Sequence, residues 1–133
     1  PCWLGYIGVD DVDSMAASIK HGGGTIQMEP QDIPQVGRFA LVTDPQGAPF
    51  YVMRGISDEE SLSFSYDQPR MGHCAWNELS TTDVEAAKHF YGQRFGWVKD
   101  GEMDMGPLGK YEFLRHAGRA PEGSPMGQGM LGA

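Results

Sequence analysis

The sequence predicts an α+β fold made of two βαβββ units, and three observations lead there. A segment near the start returns 72 residues later: Asp11-Val12-Asp13 before Ser14-Met15-Ala16-Ala17 matches Asp83-Val84-Glu85 before Ala86-Ala87-Lys88-His89. Such internal similarity marks one supersecondary unit used twice. Each copy is preceded by a short aromatic-bearing stretch with strand character, Trp3-Leu4-Gly5-Tyr6-Ile7-Gly8-Val9 in one and Ala75-Trp76-Asn77-Glu78-Leu79-Ser80-Thr81 in the other, and Cys2 falls opposite Cys74. Glycine (19) and proline (9) make up about a fifth of the 133 residues, which suits turns between short strands better than a helical bundle.

In the first unit, residues 1–54, Asp11 is the expected N-cap, because its carboxylate accepts from the free amides of the first turn and its charge suits the positive helix end. A helix over Val12–His21 follows, stopped by Gly22-Gly23-Gly24. Strands are expected at Thr25–Glu29, Arg38–Thr43 and Ala48–Arg54, separated by the proline-bearing 30–37 stretch and by the tight turn Asp44-Pro45-Gln46-Gly47. Residues 55–70, with Asp58 and Glu59 beside several serines, read as a hydrophilic connector. In the second unit, residues 71–133, Thr82 or Asp83 caps a helix to Phe95 whose Val84, Ala87, Phe90, Tyr91 and Arg94 share a face and its flank. Gly96 ends it. Strands at Trp97–Met103, Leu108–His116 and Gly127–Gly132 complete the order, with a glycine- and proline-rich loop over 117–125.

This length holds one domain, and 40% hydrophobic residues can fill its core while 21% charged residues cover it. A net charge of −8, with lysine and arginine nowhere concentrated, offers no grip on phosphate, so neither nucleic acid nor an anionic membrane is an expected partner. With no apolar run of 18 residues and no charged leader, the expected location is the cytoplasm. Cys2 and Cys74 have no metal-ligand spacing and are expected as reduced thiols. Gly22-Gly23-Gly24 follows a helix where a phosphate cradle must open one, and no Gly-x-Ser-x-Gly elbow is present, which argues against nucleotide binding and a serine nucleophile of that type.

The two units, with "DPQGAPFYVM" closing the first and "TTDVEAAKHFYGQRFGW" opening the second, resemble the vicinal oxygen chelate superfamily, which holds glyoxalase I, extradiol dioxygenases, fosfomycin-resistance enzymes and bleomycin-resistance proteins. The resemblance implies a curved, partly closed mixed sheet around a pocket, in a single glyoxalase-like domain over 1–133. It also exposes a departure. The first unit, with its Asp-Pro-Gln-Gly turn, is similar to the half that ends a module, and the second, with His89-Phe90-Tyr91, to the half that begins one. With Pro1 as first residue, the expectation is a permuted module or the middle of a two-module chain.

Metal-using members of the superfamily carry one ligand about seven residues before the capping aspartate and another a few residues past the Asp-Pro-x-Gly turn. Here those positions hold Leu4, Trp76 and Tyr51, none of them an imidazole or carboxylate. No metal, no cofactor and no catalytic residue is therefore assigned. A ligand set from His73, Glu78, His116 and Glu112 is the competing idea, but strand parity sends His73 and Glu78 to opposite faces. The same parity groups Tyr6 with Leu4, Met53 with Tyr51 and Glu78 with Trp76 on the face where the family places its cavity. Trp76, Tyr51, Glu78, Tyr6 and Met53 are the expected ligand-binding residues, suited to a small aromatic or cationic molecule. The alternative is that they fill the core; a carboxylate on that face argues against it, because burying one without a partner is costly.

The functional expectation is a metal-free binding protein of the bleomycin-resistance type, working as a homodimer because open sheet edges and apolar faces invite pairing. Alternatives are a metal-dependent glyoxalase-like lyase or extradiol-dioxygenase-like enzyme, and a structural fragment of a two-module protein, since the fold hosts both binding and catalysis.

Overall fold

The computed structural model describes residues 2–59, 61–65, 70–117 and 130–132. The chain divides into two compact units, residues 1–59 with 81–90, and residues 60–80 with 91–133.

The first unit contains β1 (Tyr6–Gly8), α1 (Val12–His21), β2 (Thr25–Ile33), β3 (Gly37–Thr43) and β4 (Pro49–Gly55). The strands form one open mixed sheet in the order β1-β4-β3-β2, with β1 parallel to β4 and the other pairs antiparallel. Asp11 caps α1 as expected, its Oδ1 accepting from the Ser14 amide at 3.0 Å and its Oδ2 from the Ser14 hydroxyl. The glycine run closes the helix in two steps: the Gly23 amide donates to Lys20 O and the Gly24 amide reaches back to Ile19 O at 3.0 Å. Gly23 supplies the left-handed φ of 94°, and at Gly24 a Cβ would stand 2.3 Å from Thr43 O, so the chain turns into β2 only because no side chain is there. The core follows from the helical and strand periods: Val12, Ala16 and Ile19 on α1, with Ala40, Val42, Phe50 and Val52 on β3 and β4, are all buried. The 44–47 turn is built on Asp44, buried, whose Oδ1 accepts from the amides of Gln46 (3.0 Å) and Ala48 (2.8 Å).

β2 runs four residues past its expected end, through Pro30. Proline lacks the ladder donor, and it is accommodated because β2 is an edge strand whose register shifts between Met28 and Gln31.

The second unit has a three-stranded antiparallel sheet, β5 (Trp97–Asp104), β6 (Lys110–His116) and β7 (Met130–Gly132), in that order, with a 3₁₀ turn over Gly106–Leu108 between β5 and β6. Helix α2 (Val84–Phe95) precedes them, with Asp83 Oδ1 accepting from the Ala86 amide at 3.0 Å. One expectation is corrected here. No strand forms over 75–81; the segment ahead of it makes an isolated parallel bridge between Phe64 and Cys74, in which Cys74 bonds the backbone of Ser63 and Ser65. In the stretch beyond, Asn77 takes part in a single bridge, and Trp76 and Glu78 are held by side-chain bonds. In chain order α2 is followed by three strands, residues 84–90 of the helix belonging to the first unit and 91–95 to the second, and neither described sheet closes. Residues 118–129, including most of the expected 117–125 loop and the start of the expected 127–132 strand, lie outside the described residues, as do 60 and 66–69 of the connector. Among the described residues no helix is long and apolar enough to cross a membrane.

Candidate functional site

The five expected binding residues fall into two groups, one in each unit. In the first unit, alternation along β3 and β4 buries Ala40, Val42, Phe50 and Val52 and leaves Phe39, Leu41, Tyr51 and Met53, all half-buried, on the opposite face. Register then brings Tyr6 of β1 and Leu41 of β3 beside Tyr51, and Gly8 and Phe39 beside Met53. The Tyr6 and Tyr51 rings stack, with centroids 4.5 Å apart and planes 10° from parallel, and Phe39 tilts against Tyr51 at 5.9 Å. Tyr6 is 60% exposed, so this stack is a surface rather than a plug. Phe39 and Leu41 were not among the expected residues, although parity on β3 marks them once Ala40 and Val42 are seen to be core.

In the second unit the decisive residue is Tyr111 of β6. The Trp76 indole N–H donates to the Tyr111 hydroxyl oxygen at 2.9 Å, and that hydroxyl donates to Glu78 Oε1. Phe113, buried and on the same face of β6 as Tyr111, meets both rings edge-on, Trp76 at 5.9 Å and Tyr111 at 5.6 Å. The phenol is thus held at its oxygen and along its ring. Burial, reinforced by the neighbouring Glu78 carboxylate and opposed by the indole donor, raises the Tyr111 pKa above the ordinary phenol value. Trp76 and Glu78, grouped by strand parity in the sequence, share Tyr111 here although no strand carries them. One argument for Glu78 is corrected: its carboxylate is exposed and hydrogen-bonded, so it is not a buried charge seeking a partner.

The other face of the β5–β6 hairpin carries an ionic group. Lys99 bridges Glu102 and Glu112, which lie opposite each other in register, and Lys110 also binds Glu102. The two lysines hold the Glu102 carboxyl down at about 2, from an ordinary 4.5. Glu112 is thereby spoken for, and His116 lies edge-on to Trp97 at 6.3 Å, while His73 Nδ1 is 3.2 Å from the Met71 carbonyl. Among the described residues no three His, Cys, Asp or Glu side chains gather as metal ligands. At the positions where the resemblance implies metal ligands, the Leu4 and Trp76 side chains have no lone pair to give a cation and the Tyr51 ring is stacked on Tyr6. Cys2 and Cys74 are free and exposed.

No protein-family model matches the chain. It is 31% identical to "Anthracycline biosynthesis protein DnrV" of Streptomyces peucetius, over 98% of this chain and 45% of that protein. It is 30% identical to "Anthracycline biosynthesis protein DauV" of a Streptomyces species over the same shares. A 52-residue stretch, 39% of this chain and 20% of the relative, is 52% identical to "Putative glyoxylase CFP32" of Mycobacterium bovis. The chain spans slightly less than half the length of the Streptomyces relatives. The names of these relatives thus point to anthracycline biosynthesis in two cases and to a glyoxylase in the third.

Proposed function

We propose that the chain is a vicinal-oxygen-chelate-type protein that binds a small aromatic or cationic molecule without a metal, with Trp76 and Glu78 of the second unit and Tyr6, Tyr51 and Met53 of the first as its ligand-binding residues. The observation that carries this reading is the chain of hydrogen bonds from Trp76 through Tyr111 to Glu78, which holds an exposed carboxylate beside two half-buried aromatic rings. Such a combination recognises a flat or positively charged organic group by ring contact and charge together. The stacked Tyr6 and Tyr51 on the first sheet offer a second aromatic surface. Similarity to two proteins named for the biosynthesis of anthracyclines, which are fused-ring aromatic compounds, supports an aromatic ligand.

A metal-dependent lyase or dioxygenase of the same fold needs a Lewis acid, and Leu4, Trp76 and Tyr51 do not supply its ligands. A second reading has its own observation: a match to 45% of the Streptomyces relatives suits a stretch joining the end of one module to the beginning of the next, in which the two units serve a larger chain. Copies of this chain are proposed to pair as homodimers, inside the cytoplasm.

The test is intrinsic fluorescence of the full chain titrated with aromatic compounds, beside the Trp76→Phe variant. The expected result is a saturable change that Trp76→Phe removes, with Trp3 and Trp97 giving the residual signal, accompanied by a rise in melting temperature with ligand concentration. A rise produced by zinc, nickel or iron and by no organic ligand would transfer the case to the enzyme reading.

A further inference from the structure

Tyr111 was invisible as a site residue in the sequence, and its three contacts give it a task. Its hydroxyl has one donor, spent on Glu78, and receives the only polar hydrogen of Trp76, so a single oxygen fixes the position of both groups that frame the exposed carboxylate. Phe113, packed edge-on against the Tyr111 ring, prevents the phenol from swinging away. Glu78 Oε2 makes no hydrogen bond among the described residues and stays available, while no lysine or arginine there pairs with this carboxylate.

We infer that Tyr111 is the positioning residue of an organic-ammonium site, in which Glu78, held by the Tyr111 hydroxyl, pairs with the cationic nitrogen and Trp76 and Tyr111 provide the ring surface beside it. This rests on the small-molecule reading above and narrows it to primary or substituted ammonium ligands with an aromatic or apolar body. A carboxylate with one oxygen already anchored loses less freedom on pairing than a loose surface glutamate, and its free oxygen still offers a charge-assisted hydrogen bond. The chain's net charge of −8 favours cations over anions in the same direction.

The experiment compares two probes of matched size on the full-length chain near neutral pH, 2-phenylethylammonium and uncharged 2-phenylethanol, by calorimetric titration. The expected preference for the ammonium probe is about tenfold, the scale of a charge-assisted hydrogen bond. Glu78→Gln should bring the ratio of affinities to about one, and Tyr111→Phe, which keeps the ring and removes the hydroxyl, to about threefold or less. Tyr111 acting only as packing would weaken both probes alike and leave the ratio unchanged, which would overturn the inference. Equal affinity of the unaltered chain for both probes would overturn it too, while leaving the aromatic-binding reading standing. Binding of neither probe overturns both. Glu78→Gln, a surface change, serves as the folded control should Tyr111→Phe fail to fold.

Discussion

In the first unit, α1 sets Val12, Ala16 and Ile19 against a sheet face of Ala40, Val42, Phe50 and Val52, and charged groups stay at the rim, where Arg38 ties Asp13 of the helix to Asp32 of β2. In the second, the sheet has one buried side chain on its described strands, Phe113, and coherence comes from rings and ions: Tyr91 stacked on Trp97 at 5.4 Å, the Trp76–Tyr111–Phe113 cluster, the Lys99–Glu102–Lys110–Glu112 group and the Arg115–Asp100 pair at 2.7 Å. Aliphatic burial is insensitive to pH and salt, whereas exposed ion pairs are screened and titrate. The described residues of the two units are therefore held by different chemistries, and the Tyr111 relay lies in the one held by rings and ions.

The contrast is broken or sharpened most strongly at α1. Ile19→Ala removes a fully buried side chain and should destabilise the first unit by about 2–5 kcal/mol, read by denaturant unfolding with hydrogen exchange resolving the two units. A cost under 1 kcal/mol would show that burial is not what holds that unit together. Gly24→Ala comes next, at about 1–3 kcal/mol, because the new Cβ would meet the Thr43 carbonyl oxygen and the Ile19 side chain. Melting that is indifferent to it would mean the α1–β2 corner is looser than its hydrogen bonds indicate.

Smaller and confined to the second unit is an acid effect. The folded-state pKa of Glu102 is depressed to about 2 from 4.5, so its stabilising contribution is full above 4.5 and is lost as pH falls from there toward 2. Carboxyl titration by NMR should show that shift, and Lys99→Met with Lys110→Met should return it toward 4.5. Protection of the β5 and β6 amides against hydrogen exchange should fall over the same pH range, and by more than that of the amides around the buried Ala40, Val42 and Val52. Equal acid sensitivity in both sheets would remove the distinction. The slightest change in these terms is expected from salt, which should loosen β5–β6 and the Arg38–Asp13 tie at the rim of α1 while the buried face of α1 keeps its protection.

Sedimentation at micromolar concentration tests the proposed homodimer, and monomer alone would count against it.

Much of the first unit was legible because its information is local. Asp11 followed by Ser14, the glycine run after His21, and Asp44-Pro45-Gln46-Gly47 each satisfy nearby backbone groups, and the structure has α1 and the 44–47 turn where those residues put them. Strand parity likewise grouped Tyr51 with Met53, which β4 carries on one face, since alternation is a local property of any strand. What parity cannot supply is a partner distant in sequence. Pro30 ended the expected β2 early because the sequence does not say that this strand lies at an edge, where a missing donor costs little. The aromatic stretch 75–81 has strand-forming residues, yet no strand runs through it, and Trp76 and Glu78 are held by side-chain bonds. Tyr111, 35 residues from Trp76 and 33 from Glu78, became part of the site only when β6 brought its hydroxyl between them. Capping, turn chemistry and alternation were written in the sequence by itself, while ladder partners and the hydrogen bonds that orient the site were decided by tertiary structure, because a hydrogen bond needs two groups in one place and only folding brings distant groups together.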